Sequence, residues 1–424
     1  MTSTVTTRFC HSEFARNLKT IDFLGKYVSP NYSKIVSIFT KTLQSREILG
    51  KMSKKRVGVI GGGQLAWMMA SAAQRIGVDL IVQTPHEFDP AVALATEVIF
   101  APLDDLDATG QLASCCDVIT FENEFVDLEA LATLAEKGVN FCPSLKTLTP
   151  LLDKYDQRSF LQAIGLPVPQ FILLENLDQV NSFGFPVVLK FRRHGYDGQG
   201  TFICHSQTEL ETLWHRFNCD SMLLEEYIPF ARELAVIAGR NAAGELAIYP
   251  VVETQQEQEI CRRVIAPAKI SSAVNQEITE ITRKLLEGIE GVGVFGIELF
   301  LTSTEKVFVN EIAPRTHNSG HYTMDGCNIS QFEMQLRTVA DLPLIEPSLK
   351  ALSVLMVNLL GLENPVNDYR EKRTELSKIP HSFLHWYSKA ESRPGRKLGH
   401  INVLLDAETN AQDMIDKIET IWYH

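Results

Sequence analysis

Long apolar runs are missing from this chain. Nothing in its 424 residues approaches the roughly 18 consecutive apolar positions that a membrane-spanning helix needs, so none is expected. Cysteine is sparse and unpatterned. The eight copies (10, 115, 116, 142, 204, 219, 261, 327) form no Cys-x-x-Cys pair and no regular spacing, which points to reduced thiols in a cytosol-like compartment. Most are expected to serve as small buried hydrophobes. Positive charge is short as well, since 40 Lys and Arg face 52 Asp and Glu for a net −12. That balance excludes a general binder of nucleic acid or of membrane surfaces. Any anionic ligand must be gripped by local clusters of Lys and Arg.

What is present reads as an ordinary globular protein, 45% hydrophobic and 22% charged, long enough for two to four domains. The charge is uneven. Residues 1–51 carry eight bases and three acids, a net +5, which leaves −17 for the remainder. This Ser/Thr-rich segment reads either as an organelle-directing presequence, placing the protein in a stroma, or as an extension upstream of a start at Met52. Residues 1–53 are left out of the fold argument, and a cytoplasmic location is expected without a presequence.

From Lys54 the pattern is regular. Arg56-Val57-Gly58-Val59-Ile60 reads as a buried strand, followed by Gly61-Gly62-Gly63-Gln64-Leu65-Ala66 and a helix through Arg75. Strands at Val78–Val82 and Val118–Glu122 follow. Strands alternating with helices predict an α/β fold whose first domain, 54–150, holds a parallel Rossmann-like sheet. The glycine turn fits G-x-G-x-x-A, but the second strand ends in Gln83-Thr84 where a ribose-binding acid would stand, which disfavours a dinucleotide. A helix N-terminus behind glycines still suits the phosphate of some other ligand.

Further on, Asp153-Lys154-Tyr155 opens a helix, and Phe185-Pro186-Val187-Val188-Leu189-Lys190 is a strand ending in a Lys. The loop His194-Gly195-Tyr196-Asp197-Gly198-Gln199-Gly200, before the strand Thr201–Cys204, reads either as a phosphate cover or as a plain hairpin with a flexible tip. It is no P-loop, because no G-K-[ST] opens a helix after it. Met222-Leu223-Leu224-Glu225-Glu226-Tyr227-Ile228 is an apolar strand running into acids. Its edge could receive an adenine while Glu225 or Glu233 takes polar edges of the nucleoside.

The densest chemistry lies in two runs, Phe295–Leu301 and Val307–His321, which read as an antiparallel hairpin turning near 303–306. With Thr302 opposite Val307, Glu298 falls opposite Glu311. Directly opposed carboxylates repel, so a cation is expected between them. Oxygen ligands with so few protein groups suit Mg²⁺, or Mn²⁺, shared with a nucleotide phosphate. A solvated pair of sheet carboxylates is the bland alternative. Against it stands the polar run Arg315, His317, Asn318, Ser319 and His321, costly to bury for packing alone.

The order Lys154, Lys190, glycine loop, Glu225-Glu226-Tyr227-Ile228, Glu233, Glu298, Asn310-Glu311 resembles the ATP-grasp ligases. Within them Gly61–Leu65, Gly195–Gly198, Asn310–Arg315, His317–His321, His385-Trp386-Tyr387 and Arg393–His400 resemble the 5-(carboxyamino)imidazole ribonucleotide synthases. The resemblance covers about residues 54–424. The chain departs from that pattern at Ala66-Trp67, at Lys154 in place of an Arg, and at Gln255-Gln256 where a His is common. The resemblance implies a central ATP-grasp domain over 151–345, with a lid at about 168–230, and a small β-rich C-terminal domain over 346–424. It implies that ATP phosphorylates bicarbonate and that the amine of 5-aminoimidazole ribonucleotide captures the product. Lys154, Lys190, residues 195–200, Thr201, Glu225–Ile228, Glu233, Asn310 and Glu311 would bind ATP, with Glu298 and Glu311 on the metal. Arg315, His317 and Asn318 would act on bicarbonate. Gly63, Gln64, Leu65, Tyr196, Asp197, Lys389, Arg393, Arg396 and Lys397 would hold the ribonucleotide. A homodimer and a separate mutase acting on the product are further expectations of the resemblance. The rival readings are another ATP-grasp ligase, such as a formate-using glycinamide ribonucleotide transformylase, and a nucleotide-binding regulator without catalysis.

Overall fold

The run Arg56–Ile60 is apolar on both faces, and it becomes an inner strand of an all-parallel sheet. Asp79–Thr84 pairs on one side and Val118–Phe121 on the other. Glu97–Phe100, a strand the apolar pattern did not reveal, forms the edge. The order reverses at the first strand, so the crevice that collects ligands in such sheets opens beyond Ile60 and Phe121. The computed structural model describes residues 54–193, 200–217, 221–362, 368–389 and 391–424. The extension 1–53 and the loop calls Gly195, Tyr196, Asp197, Gly198 and Gln199 lie outside the described residues.

Two antiparallel sheets make up the rest. Phe171–Leu174, Met222–Glu226, Val187–Lys190 and Thr201–Cys204 form, in that spatial order, a four-stranded sheet. The helix Gln207–Phe217 contributes Leu210 to its core beside Val187, Leu189, Met222 and Leu224. The larger sheet has nine strands and begins with the hairpin Val307–Ala313 and Gly293–Thr302, then Phe230–Arg240. It continues through Val252–Glu257 and Ile260–Ala266 into Ser353–Leu360, Lys397–Leu405 and Ser382–Trp386, and the ninth strand, Leu246–Ile248, pairs with the end of Phe230–Arg240. The strands expected as a C-terminal domain therefore extend the central sheet through the pairing of Ile260–Ala266 with Ser353–Leu360. The helix Ser272–Ile289 buries Val274, Ile278, Ile281, Leu285 and Ile289 on one stripe against the hairpin's apolar face.

The hairpin departs from simple alternation at one point. Leu301, not Thr302, stands opposite Val307, because Thr302 closes the turn by donating to the Lys306 carbonyl at 3.0 Å. Past Leu299–Val309 the register shifts by one, and Glu298 meets Glu311. Asn310 is the extra residue of this bulge. It joins Glu311 on the polar face, where strict alternation would have put them on opposite faces.

Candidate active site

The bulged hairpin presents Glu298, Asn310 and Glu311 together. Lys154, in the first turn of the helix Lys154–Ala163, reaches across with its Nζ 2.6 Å from Glu311 Oε2. The start of that helix is held by Asp153, whose carboxylate accepts from the Tyr155 and Asp156 amides and pairs with Arg192 at 2.9 Å. On the other carboxylate, His317 Nε2 lies 3.5 Å from Glu298 Oε1, and the Asn310 amide donates to Oε2 at 3.4 Å. His317 can lie over the strand because position 296 is glycine; a Cβ there would stand 2.5 Å from the His317 Cβ.

The two carboxylates part company electrostatically. Burial, then Glu311 and Glu233, push Glu298 up to about 7. Burial would raise Glu311 too, but Lys154, by charge and hydrogen bond, with Lys190 and Arg158, holds it below the usual carboxylate range. Burial also lifts the nearby Glu233 to about 7. One negative charge is thus balanced by the protein and the next is not. Two hard oxygen donors with a deficit of positive charge fit Mg²⁺. Among the described residues no cluster of three acidic, His or Cys ligands occurs.

Glu225 is the most enclosed of these acids. Its side chain is 2% exposed, with one oxygen on Arg158 and the other 2.7 Å from Lys190 Nζ. Burial would raise this acid, yet the two cations pull it down to about 2. The ammonium of Lys190 also donates to Asn310 Oδ1 at 3.3 Å, which places it beside the carboxylate pair. Its pKa is lowered, by burial foremost, against the pull of Glu225. Glu226 turns outward and accepts from the Gln170 amide at 2.9 Å, and Tyr227 and buried Ile228 lead into the strand that carries Glu233. Gly200 and Thr201 end the glycine loop, the former accepting from the Phe191 amide at 2.8 Å and the latter pairing with Lys190.

The loop after the hairpin is tied down at each residue. Arg315 forms an ion pair at 3.2 Å with Glu124, which follows the end of the parallel strand Val118–Phe121. Gln331 accepts from the His317 amide at 2.9 Å, donates to the His317 carbonyl at 2.7 Å, and meets His321 Nδ1 at 3.1 Å. Asn318 exchanges two hydrogen bonds with Asn358, at 3.0 and 2.8 Å. Burial, then Lys397, His317, His385 and Arg315, drive His321 well below its ordinary value.

At the glycine turn Glu122 caps the helix N-terminus, accepting from the Gly63 amide at 2.7 Å and the Leu65 amide at 3.1 Å. A Cβ at position 63 would stand 2.4 Å from that carboxylate, which is why the turn needs glycine there. Gln64 remains a ligand candidate. Its Oε1 is buried without a hydrogen-bond partner among the described residues. At the C-terminal side, Lys389 lies with its Nζ 5.6 Å from the Tyr387 ring centre, Arg393 is exposed, and Arg396 donates to the Glu391 carbonyl at 3.1 Å. Lys397 acts electrostatically on both Glu298 and His321.

Sequence reasoning missed Glu122, Glu124, Arg158 and Gln331. The acids ending a parallel strand beside a glycine turn were a usable signal. Arg158, one helical turn after Lys154, was another. Gln331 gave none, since a glutamine at a helix start says nothing of the loop it holds.

Comparison with known proteins agrees with this layout. Residues 54–150 match the ribonucleotide synthetase preATP-grasp domain, 159–332 the ATP-grasp domain, and 354–414 the phosphoribosylaminoimidazole carboxylase C-terminal domain. The N5-carboxyaminoimidazole ribonucleotide synthase of Synechococcus elongatus is 50% identical over 378 residues, 87% of this chain and 95% of that protein. The crystal structure of the Thermotoga maritima synthetase has a TM-score of 0.78 at 39% identity, covering 87% of this chain and 98% of the other. That of the Aspergillus clavatus synthase, in complex with ADP and 5-aminoimidazole ribonucleotide, has a TM-score of 0.81 at 33% identity, covering 87% and 99%. The chain therefore belongs to the N5-carboxyaminoimidazole ribonucleotide synthase family of ATP-grasp ligases.

Proposed function

We propose that this enzyme carries out its family's step of purine biosynthesis with the residue roles set out here. ATP and bicarbonate give ADP and carboxyphosphate. The amine of 5-aminoimidazole ribonucleotide, or CO₂ release followed by capture, then yields the carbamate, phosphate and a proton. Lys190 and Lys154 neutralise phosphate oxygens as the bond to the transferring phosphorus breaks. Bound between Glu298 and Glu311, Mg²⁺ would supply Lewis-acid stabilisation of those oxygens. Arg315, His317 and Asn318 hold bicarbonate against them and stabilise charge on the transferring group. Gln64 Oε1, buried and lacking a donor, orients the ribonucleotide by accepting from its amine. Lys389, Arg393, Arg396 and Lys397 take its phosphate. In the same reading the enzyme is a cytoplasmic homodimer, and a separate mutase takes its product.

The observation that carries this reading is the carboxylate pair, uncompensated on one side and surrounded by Lys154, Lys190, Asn310 and His317. The test is ADP release with each acid and each ribonucleotide offered in turn. Release should require both bicarbonate and 5-aminoimidazole ribonucleotide for full rate. Dependence on formate and glycinamide ribonucleotide, without bicarbonate, would overturn it.

A further inference from the structure

The apolar strand Ser353–Leu360 has one polar residue at its buried centre. Asn358 is 0% exposed, and a buried amide is stable only when its hydrogen bonds are made. Its Nδ2 donates to the Cys261 carbonyl at 2.9 Å and to Asn318 Oδ1 at 2.8 Å, while its Oδ1 accepts from Asn318 Nδ2 at 3.0 Å. A backbone carbonyl only accepts, so the NH₂ end of Asn358 must face Cys261. That choice fixes which end of Asn358 meets which end of Asn318. Asn318 is left with one N–H and one carbonyl lone pair at defined places, and only the N–H suits an anion.

The same strand runs on to Gly361. The Gly361 amide donates to the Arg396 carbonyl at 2.8 Å, and the Gly361 carbonyl accepts from the Gly395 amide at 3.1 Å. The basic segment is therefore hung from the strand end three residues beyond the amide clasp.

We infer that Asn358 is a positioning residue: it orients Asn318 to donate to bicarbonate and ties that amide to the strand bearing the ribonucleotide's basic segment. This rests on the proposed role of Asn318. Asn358→Leu matches the shape and removes all three bonds; Asn358→Ser keeps polarity but is too short to reach Asn318. Both should lower kcat for ADP formation by about ten- to a hundredfold, as for a lost oriented donor to a charged group, and raise the bicarbonate KM. The ATP KM should stay within about twofold. A packing role alone would move both KM values together, and that result overturns the inference. So does a folded Asn358→Ser enzyme with native bicarbonate kinetics, which serves if the Leu variant fails to fold. The double variant Asn318→Ala/Asn358→Ser should be no worse than Asn318→Ala. If Asn318→Ala itself leaves bicarbonate kinetics unchanged, the proposed function of that residue fails first. If it impairs them and Asn358→Ser does not, only the positioning role falls.

Discussion

Two clusters of carboxylates and cations lie beside each other at this site, built from the same residue types. One is closed. Glu225 is 2% exposed and gives one oxygen to Arg158 and one to Lys190, so the acid stays ionised in spite of its burial. The other is open. Glu298 and Glu311 are 31% and 41% exposed and share Lys154 and a His317 contact at 3.5 Å. Here burial and the neighbouring Glu311 charge raise Glu298 above the usual carboxylate range. The difference separates architecture from chemistry: a carboxylate whose charge the fold balances supports the site, and one whose charge it leaves over waits for a ligand.

Substitution by glutamine should split the two clusters. Glu298→Gln removes a charge that the free enzyme does not accommodate, so its melting temperature at pH 8 should hold or rise. Its turnover should fall by roughly a thousandfold, since several kcal/mol of charge stabilisation is lost and each 1.36 kcal/mol is tenfold. Melting curves and ADP release on one preparation give both readouts. Glu225→Gln is expected to act the other way. It strands Arg158 and Lys190 without a counter-charge, and breaking a buried pair of this kind costs about 3–5 kcal/mol. Urea unfolding should show that loss with an unchanged slope. Equal stability losses in both variants would erase the distinction drawn here.

The open cluster was the more legible in sequence. Alternating apolar residues on both sides of a polar turn foretold the hairpin; the pairing of Glu298 with Glu311 holds because the bulge makes up for a turn register one residue away from the expected one. The bulge that aims Asn310 was not legible, because it is set by how Thr302 closes the turn. The closed cluster was not legible, because Arg158 lies 67 positions from the Glu225 it pairs with. The Glu122 contact was missed although the acid ends a strand beside the glycine turn, because the Gly63 amide it binds lies 59 residues away. Strands, helices and charge runs are local patterns. Which charge cancels which is decided only when distant elements pack.

The closed cluster should also mark the acid limb of stability. Glu225 titrates at about 2 in the folded protein against an ordinary 4.5. A depressed carboxylate contributes stability above its unfolded pKa and loses it as pH falls through the folded one. Unfolding free energy should therefore decline between about pH 4.5 and pH 2, with that part of the slope absent from Glu225→Gln. Parallel slopes in the two proteins would show that the triad is not the group responsible.

The smallest effect expected concerns Lys154, where the family commonly places an arginine. Lys154 Nζ lies 2.6 Å from Glu311, and the side chain is 16% exposed, so it offers one compact charge at the rim of the open cluster. Its part is to balance Glu311 and the incoming phosphates, which depends on sign more than on shape. An arginine keeps the sign and adds a planar fork that suits phosphate oxygens. Lys154→Arg should therefore change the ATP KM by no more than about threefold and leave kcat near its native value, as initial rates of ADP release would show. Lys154→Ala should raise that KM by more than about tenfold, because Glu311 then meets the triphosphate without its counter-charge. If the arginine and alanine variants are equally impaired, the lysine acts through its geometry. The open cluster would then be as tightly built as the closed one, and charge balance alone would not tell them apart.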